Sequence, residues 1–248
     1  MFKEYGELAT ILYELTKPAG HSINGDIEYF LRNLEGIPGP VLEAGVGTGR
    51  MLVPLLRQGL AVDGVDISDE MLSRCKLNME KHGVSAELYL QDLTALSLPK
   101  KYGAIIMPTG SFCLIPAYRA KEVLTSFANH LLPGGKLIVD IIFPTDFKKG
   151  ETFYKTYPLR DSTGILYTNS HVEIDWFQQK TSHIIKYELL SGGEIQKTEV
   201  SNFTLYWHGV REFDALLESI GFVDICHELN YGAGGDPNIV TFMAVAPK

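Results

Sequence analysis

The stretch VLEAGVGTGR, residues 41–50, sets Gly45, Gly47 and Gly49 at every second position behind a short apolar run. Glycines so placed let the main chain turn sharply and come close to another body. At the carboxyl end of a parallel strand that body is a ligand, seated where the flanking helices diverge. A tight strand-to-helix turn without a ligand is the plainer alternative. Two carboxylates fall in step with the glycines. Asp66 ends the second apolar run, 19 residues after Gly47, where a carboxylate can accept both hydroxyls of a ribose. Its alternative is a helix N-terminal acid, since Ser68, Asp69 and Glu70 crowd the same helix start; Asp69 and Glu70 are assigned to the helix dipole. Asp92 follows the third run in LYLQDLTAL, placed either to meet an adenine amino group or to sit solvated in a loop. The chemistry indicated is recognition of a nucleotide-sized ligand. The spacing is GxGxG, whereas the dinucleotide fingerprint GxGxxG would need its third glycine at Arg50.

The elements that must hold these residues follow from hydrophobic period. Leu8, Ile11, Leu12 and Leu15 recur at helical spacing until Pro18 and Gly20, and Ile27, Phe30, Leu31 and Leu34 begin a second helix. From VLEAG onward, apolar runs (AVDGVD, AELYL, YGAIIM, KLIVDIIF) alternate with helical segments, one of them spanning Ser68 to His82 and ended by Gly83. That alternation predicts right-handed crossovers and a doubly wound α/β core with a parallel sheet. After about residue 144 the period changes to two. ILYTNSHVEIDWF, SHIIKYELL and EIQKTEVSNFTLYW predict antiparallel strands, with SGGE as a hairpin turn between the last two. Val172, Ile174 and Trp176 share one strand face, the mark of a sheet packed on a core. A helix through Phe213, Leu216, Leu217 and Ile220, then FVDICHEL and IVTFMAVA, closes the pattern. The expected organisation is a helical cap over 1–36, a core over 37–144 and 208–248, and an antiparallel β insertion over 145–207.

Composition narrows the function classes. With 45% hydrophobic residues in 248, the chain can bury a substantial core. A net charge of −8, without any clustering of Lys and Arg, argues against nucleic acid as a partner. Cys75, Cys113 and Cys226 lie far apart, forming neither a disulfide framework nor a metal site, and are expected to be buried small hydrophobes in a reducing compartment. Lys3, Glu4 and Glu7 interrupt any signal-peptide pattern, and no run is long enough to span a bilayer. A cytoplasmic protein without membrane association is expected.

VLEAGVGTGR, with GVDIS and LQDL behind it, resembles the class I, Rossmann-like S-adenosylmethionine-dependent methyltransferases over about residues 40–143 and again in the last helix and strands. The resemblance implies a mostly parallel seven-stranded sheet with an antiparallel last strand beside the fifth. It implies S-adenosylmethionine as cofactor and S-adenosylhomocysteine as product. By position, Glu43 organises the glycine turn and the ligand's amino group, while Ala44, Gly45, Val46 and Gly47 line the methionine moiety and ribose. Asp66 holds the ribose hydroxyls, Ile67 and Met71 border the adenosine, Asp92 and Leu93 take the adenine edge, and Met107, Pro108 and Thr109 pass under the methionine portion. Many relatives carry an acid or amide near the end of the fourth strand; AIIMPTGSF offers only Thr109, Ser111 and main-chain groups, and there is no NPPY-like sequence of the DNA amino-methylating type.

Methyl transfer from a sulfonium is an in-line displacement, accelerated mainly by positioning. A neutral amine can lose its proton after transfer, whereas a hydroxyl needs a base within reach. The antiparallel insertion resembles that of small-molecule N-methyltransferases, including those acting on amino sugars and glycine-like amines, and this resemblance implies N-methylation of a small molecule over O-methylation. Tyr5 and Tyr13 lie close to one face of the first helix, like tyrosines that close over the cofactor in small-molecule relatives, or else pack as ordinary helix aromatics. His21 and His171 are further acid/base candidates; for His171, Trp176, His183, Tyr187 and Tyr206, plain packing or a dimer contact is preferred, as are surface or capping roles for His208 and Arg211. Strand edges in the insertion would allow a homodimer. The competing functions are a nicotinamide-dependent oxidoreductase, whose glycine spacing differs, and a non-catalytic S-adenosylmethionine-binding protein.

Overall fold

In chain order the elements are α1 (Glu7–Thr16), α2 (Asp26–Leu34), β1 (Val41–Ala44), α3 (Leu52–Arg57), β2 (Val62–Asp66), α4 (Asp69–His82), β3 (Leu88–Leu90), β4 (Tyr102–Met107), α5 (Ala120–His130) and β5 (Leu131–Ile142). Four strands come next, β6 (Thr152–Pro158), β7 (Thr163–Asp175), β8 (Lys180–Ser191) and β9 (Glu194–Tyr206), and then α6 (Val210–Ile220), β10 (Val223–Leu229) and β11 (Ile239–Val245). This computed structural model describes residues 6–160, 162–232 and 238–247, so Tyr5 lies outside the described residues. The chain divides into two units, Ala19–Phe143 with Trp207–Lys248, and Met1–Pro18 with Pro144–Tyr206. The two N-terminal helices, grouped by sequence, thus fall in different units. Among the described residues no helix is long and apolar enough to cross a membrane.

The larger unit is built on a seven-stranded sheet in the order β10-β11-β5-β4-β1-β2-β3. β1 pairs in parallel with β2 and β4, and β11 is antiparallel to both β5 and β10. Every residue of β1 and of β4 is buried, as a sheet covered on both faces requires. Leu52, Leu55, Ile105 and Phe127 are fully enclosed. Each such side chain contributes about 1.5–3 kcal/mol. Helix α4 shows how the sequence sets its limits: the Ser68 hydroxyl accepts from the Met71 N–H at 3.3 Å, and Gly83, at φ +66°, closes the last turn. The helix start is thereby set directly behind Asp66.

The smaller unit is a four-stranded antiparallel sheet, β6-β7-β8-β9, with Leu8, Ala9 and Leu12 of α1 packed on Ile165, Ile185 and Tyr187. Three of these strands are legible as alternation, but β6 is not. Its residues are exposed except for a half-buried Tyr157, so it carries no apolar face to read. The expected packing of Val172, Ile174 and Trp176 is also corrected. His171 pairs with His183 and Glu173 with Ser182, which leaves Val172 as the extra residue of a bulge. A bulge shifts the alternation by one residue. Val172 is accordingly 42% exposed, Trp176 falls beyond the end of β7 in the turn to β8 and is 66% exposed, and the apolar face is carried by Ile165, Ile185 and Tyr187 instead. Cys226 is likewise exposed, on β10, where all residues are exposed or half-buried, while Cys75 and Cys113 are buried as expected.

Candidate active site

The glycine turn lies at the carboxyl end of β1, the central strand of the parallel set. Gly45, Gly47 and Gly49 all have positive φ, at +72°, +54° and +81°. They serve different purposes. A Cβ on Gly49 would stand 2.8 Å from the Cys75 sulfur, so this glycine lets α4, rather than the helix immediately after the turn, approach. A Cβ on Gly47 would meet nothing within 4 Å; the turn there faces open space. A Cβ on Gly45 would lie 3.3 Å from Ser111 Cβ and 3.7 Å from Met107 Cε, so the chain leaving β4 borders the same turn.

Asp66, at the end of β2, bridges the two neighbouring structures. Its Oδ2 accepts from the Gly47 N–H at 2.8 Å and its Oδ1 from the Ser68 N–H at 2.9 Å. Burial raises its pKa, opposed by those same hydrogen bonds. It therefore does serve the start of α4, and it also clamps the most open glycine. Beside it Ile67 is 70% exposed, an apolar side chain left on the rim. Ala44, Val46 and Met71 are buried, and Val46 fills the space over Gly64.

Behind the turn sit three buried ionisable groups, Glu43, Arg50 and Asp26. Glu43 is buried, its Oε2 has no hydrogen-bond partner, and burial pushes its carboxyl up to about 8, with Arg50 pulling it down and Asp26 and Asp66 adding to the rise. Arg50, where a dinucleotide fingerprint would have glycine, forms a buried ion pair with Asp26 at 2.5 Å and donates to the His21 carbonyl at 2.7 Å. Asp26 also accepts from the Ile23 and Ile27 N–H groups, each at 2.8 Å. The 20–26 segment, with exposed His21, is thereby tied to the glycine turn. Asp26 is not singled out by sequence; a lone acid before the apolar face of α2 reads as an ordinary helix start.

Asp92 caps the short turn after β3, accepting from the Thr94 N–H at 2.8 Å and hydroxyl at 2.6 Å, and these bonds hold its pKa below the usual range. Its side chain is 46% exposed, with Leu93 half-buried beside it. At the end of β4, Met107 and Pro108 are buried, and Thr109 adopts φ +53°.

Tyr13 and His171 belong to the smaller unit. Tyr13 is half-buried on α1 with the Lys17 ammonium 5.1 Å from its ring. His171 stacks on Phe147 at 4.7 Å and meets His183 edge-on at 5.0 Å. The Lys148 N–H donates to His171 Nδ1, which places the proton of the neutral ring on Nε2, a donor rather than a base. Burial lowers His183 to about 4. His208, expected at the surface, is buried against Phe112 and Phe213 in the core unit, because the chain returns to the core at Trp207. Among the described residues no group of three or more His, Cys, Asp or Glu could hold a metal ion.

Residues 41–135 match a family model described as a methyltransferase domain. Over that segment, from β1 to the start of β5, the chain is similar to a methyltransferase domain. The phosphatidylethanolamine N-methyltransferase of Cereibacter sphaeroides is 32% identical to this chain over 110 residues, which make up 44% of this chain and 53% of that protein. The match thus spans about half the length of that relative. The sugar N-methyltransferase KedS8 of a Streptoalloteichus species shares the fold with a TM-score of 0.79 at 18% identity, over 100% of this chain and 96% of that one. CalS10, an amino pentose methyltransferase of Micromonospora echinaspora solved with S-adenosylmethionine bound, gives 0.73 at 15% identity over 99% of this chain and 99% of that one. At these identities the likeness to solved structures is one of fold. The strand order of the core unit is the one the sequence resemblance implied, and in it the glycine turn follows β1 and Asp66 ends β2.

Proposed function

We propose that this chain transfers a methyl group from S-adenosylmethionine to a small-molecule acceptor, releasing S-adenosylhomocysteine, with nitrogen favoured over oxygen as the atom methylated. The observation that carries this is the open space over Gly47, bounded by the Asp66 carboxylate and backed by the buried, unpartnered Glu43 Oε2. A ribose diol suits the remaining lone pairs of Asp66, and an ammonium suits the orphaned oxygen of Glu43. Ile67 would lie against the adenine, Asp92 and Leu93 would meet its edge, and the main chain of Ala44, Gly45, Val46 and Gly47 would line the rest. When bound, the cofactor supplies a methyl group already activated by its sulfonium. The chain's part is then to hold the acceptor lone pair in line and to exclude water.

Nitrogen is favoured because the turn after β4 presents the Thr109 and Ser111 hydroxyls and no solvent-facing carboxylate to deprotonate an alcohol. His21 is the exposed acid/base candidate of the core unit. A homodimer through the open edge of β6 is part of the same proposal; a monomer in sedimentation would remove it.

The test is a thermal shift with S-adenosylmethionine, S-adenosylhomocysteine and the nicotinamide dinucleotides. Ligand at a hundred times its Kd stabilises by about 2.7 kcal/mol. Both adenosyl compounds should raise the melting temperature and the dinucleotides should not. The opposite pattern returns the oxidoreductase. Cofactor binding with no S-adenosylhomocysteine released across panels of amines and alcohols returns a non-catalytic binding protein.

A further inference from the structure

Asp140 lies in β5, within the apolar run LIVDII, and is fully buried. A carboxylate in that position loses its hydration and persists only if donors replace it. Three do. Oδ2 accepts from the Thr109 N–H at 2.6 Å and from the Tyr231 hydroxyl at 2.7 Å, and Oδ1 accepts from the Thr241 hydroxyl at 2.6 Å. Thr109 stands at φ +53°, a region that side-chain-bearing residues seldom occupy, and Gly110 comes next at +73° with the Ile142 side chain against its Cα. Such a backbone is kept only where its surroundings hold it. The Thr109 N–H bond to Asp140 is what holds it here.

Strand order decides what this turn faces. The strands run β4-β1-β2-β3. With the sugar at Asp66 of β2 and the base beyond it toward β3, the far end of the ligand must cross β1 and end over β4. Three strand spacings of about 4.8 Å match the length of a nucleoside carrying an amino-acid chain. The turn after β4 touches the glycine turn at Gly45, on the side away from Asp66.

We propose that Asp140 is a positioning residue: from inside the sheet it fixes the Pro108–Gly110 turn, and through that turn it confers recognition of the amino-acid end of the cofactor. This rests on the S-adenosylmethionine reading. It assigns discrimination between S-adenosylhomocysteine and 5′-methylthioadenosine, which lacks that end, to a group that touches neither.

Calorimetric titration of the full chain with both compounds tests it. Asp140→Ala should weaken S-adenosylhomocysteine by about tenfold or more while methylthioadenosine changes little. Asp140→Asn, whose amide oxygen can still accept from Thr109, should keep most of the preference. Thr241→Val removes the donor on the far side, and should lower stability without altering the ratio of the two affinities. If Asp140→Ala does not fold, the Thr109 amide resonance of threonine-labelled wild-type protein replaces it: it should move on adding S-adenosylhomocysteine and stay in place with methylthioadenosine. Wild-type protein that binds neither compound overturns the cofactor reading. Binding of both, with Asp140→Ala losing both alike or neither, or with Thr241→Val shifting the ratio as far as Asp140→Ala, or with the Thr109 amide responding equally to both, overturns the role of Asp140 alone.

Discussion

Gly47 and Gly49 stand two residues apart, both in the left-handed region, yet a single added methyl should have opposite consequences at the two sites. Alanine in that conformation costs about 1–2 kcal/mol. At Gly47 nothing else is added, because no atom lies within 4 Å of the new Cβ. At Gly49 the new Cβ would come within 2.8 Å of the Cys75 sulfur, on a buried helix face that cannot simply turn aside. Overpacking of that kind adds about 1–3 kcal/mol. Urea unfolding should therefore show Gly49→Ala losing roughly 2–5 kcal/mol and Gly47→Ala about 1–2 kcal/mol. Cofactor binding should rank the other way. In Gly47→Ala the methyl occupies ligand space, a clash of about 1–3 kcal/mol, so S-adenosylhomocysteine should bind roughly 5–150 times more weakly by calorimetry. Gly49→Ala should bind it within a few-fold of wild type wherever it is folded. The double variant with Cys75→Ala should recover part of the Gly49→Ala loss, seen as a favourable coupling in the cycle. Wild-type affinity in Gly47→Ala, or equal destabilisation of the two variants, would refute the assignment of one glycine to the ligand and the other to α4.

Asp66→Ala should weaken S-adenosylhomocysteine by more than about tenfold, since hydrogen bonds to a charged group are lost; unchanged affinity removes the ribose role. Glu43 is raised from 4.5 to about 8 by burial, so the folded protein keeps a proton that the unfolded chain releases. Wild-type stability should accordingly fall as pH rises through that window, by about 1.4 kcal/mol per unit, and level off above it. Glu43→Gln cannot ionise, so its stability advantage should grow from near zero at the acid end to several kcal/mol at the alkaline end; a gap independent of pH would contradict it. Arg50→Ala leaves the Asp26 carboxylate buried without its cation and should cost about 3–5 kcal/mol of unfolding free energy. A loss below about 1 kcal/mol would mean the pair is not what ties the 20–26 segment down.

Whatever imposes a period or a backbone constraint is legible in the residues alone. The alternation of β1, α3, β2 and α4, the limits of α4 at Ser68 and Gly83, and the turn at Gly45–Gly49 all express local rules. β6 escapes because an exposed edge strand has no apolar face, and the face of β7 is misassigned because one bulged residue at Val172 reverses an alternation that sequence shows as unbroken. His208 escapes because its burial depends on Phe112, far back in the chain, as well as on Phe213 nearby. Asp140 leaves a visible mark, an acid in the middle of LIVDII, but its partners Thr109, Tyr231 and Thr241 lie 31, 91 and 101 residues distant. Periodicity cannot pair residues across such distances.

The smaller unit takes its helix from one end of a long detour of chain. The Leu8 N–H finds its acceptor on Glu199, 191 residues later. At ribosomal speeds of about 5–20 residues per second, that leaves roughly 10–40 s in which the apolar stripe of α1 has emerged and its sheet has not. A ten-residue helix is too short to persist in water unaided. During synthesis, then, Leu8 and Leu12 are the nascent chain's exposed adhesive, available to chaperones or to misassembly until the last β-hairpin clears the exit tunnel.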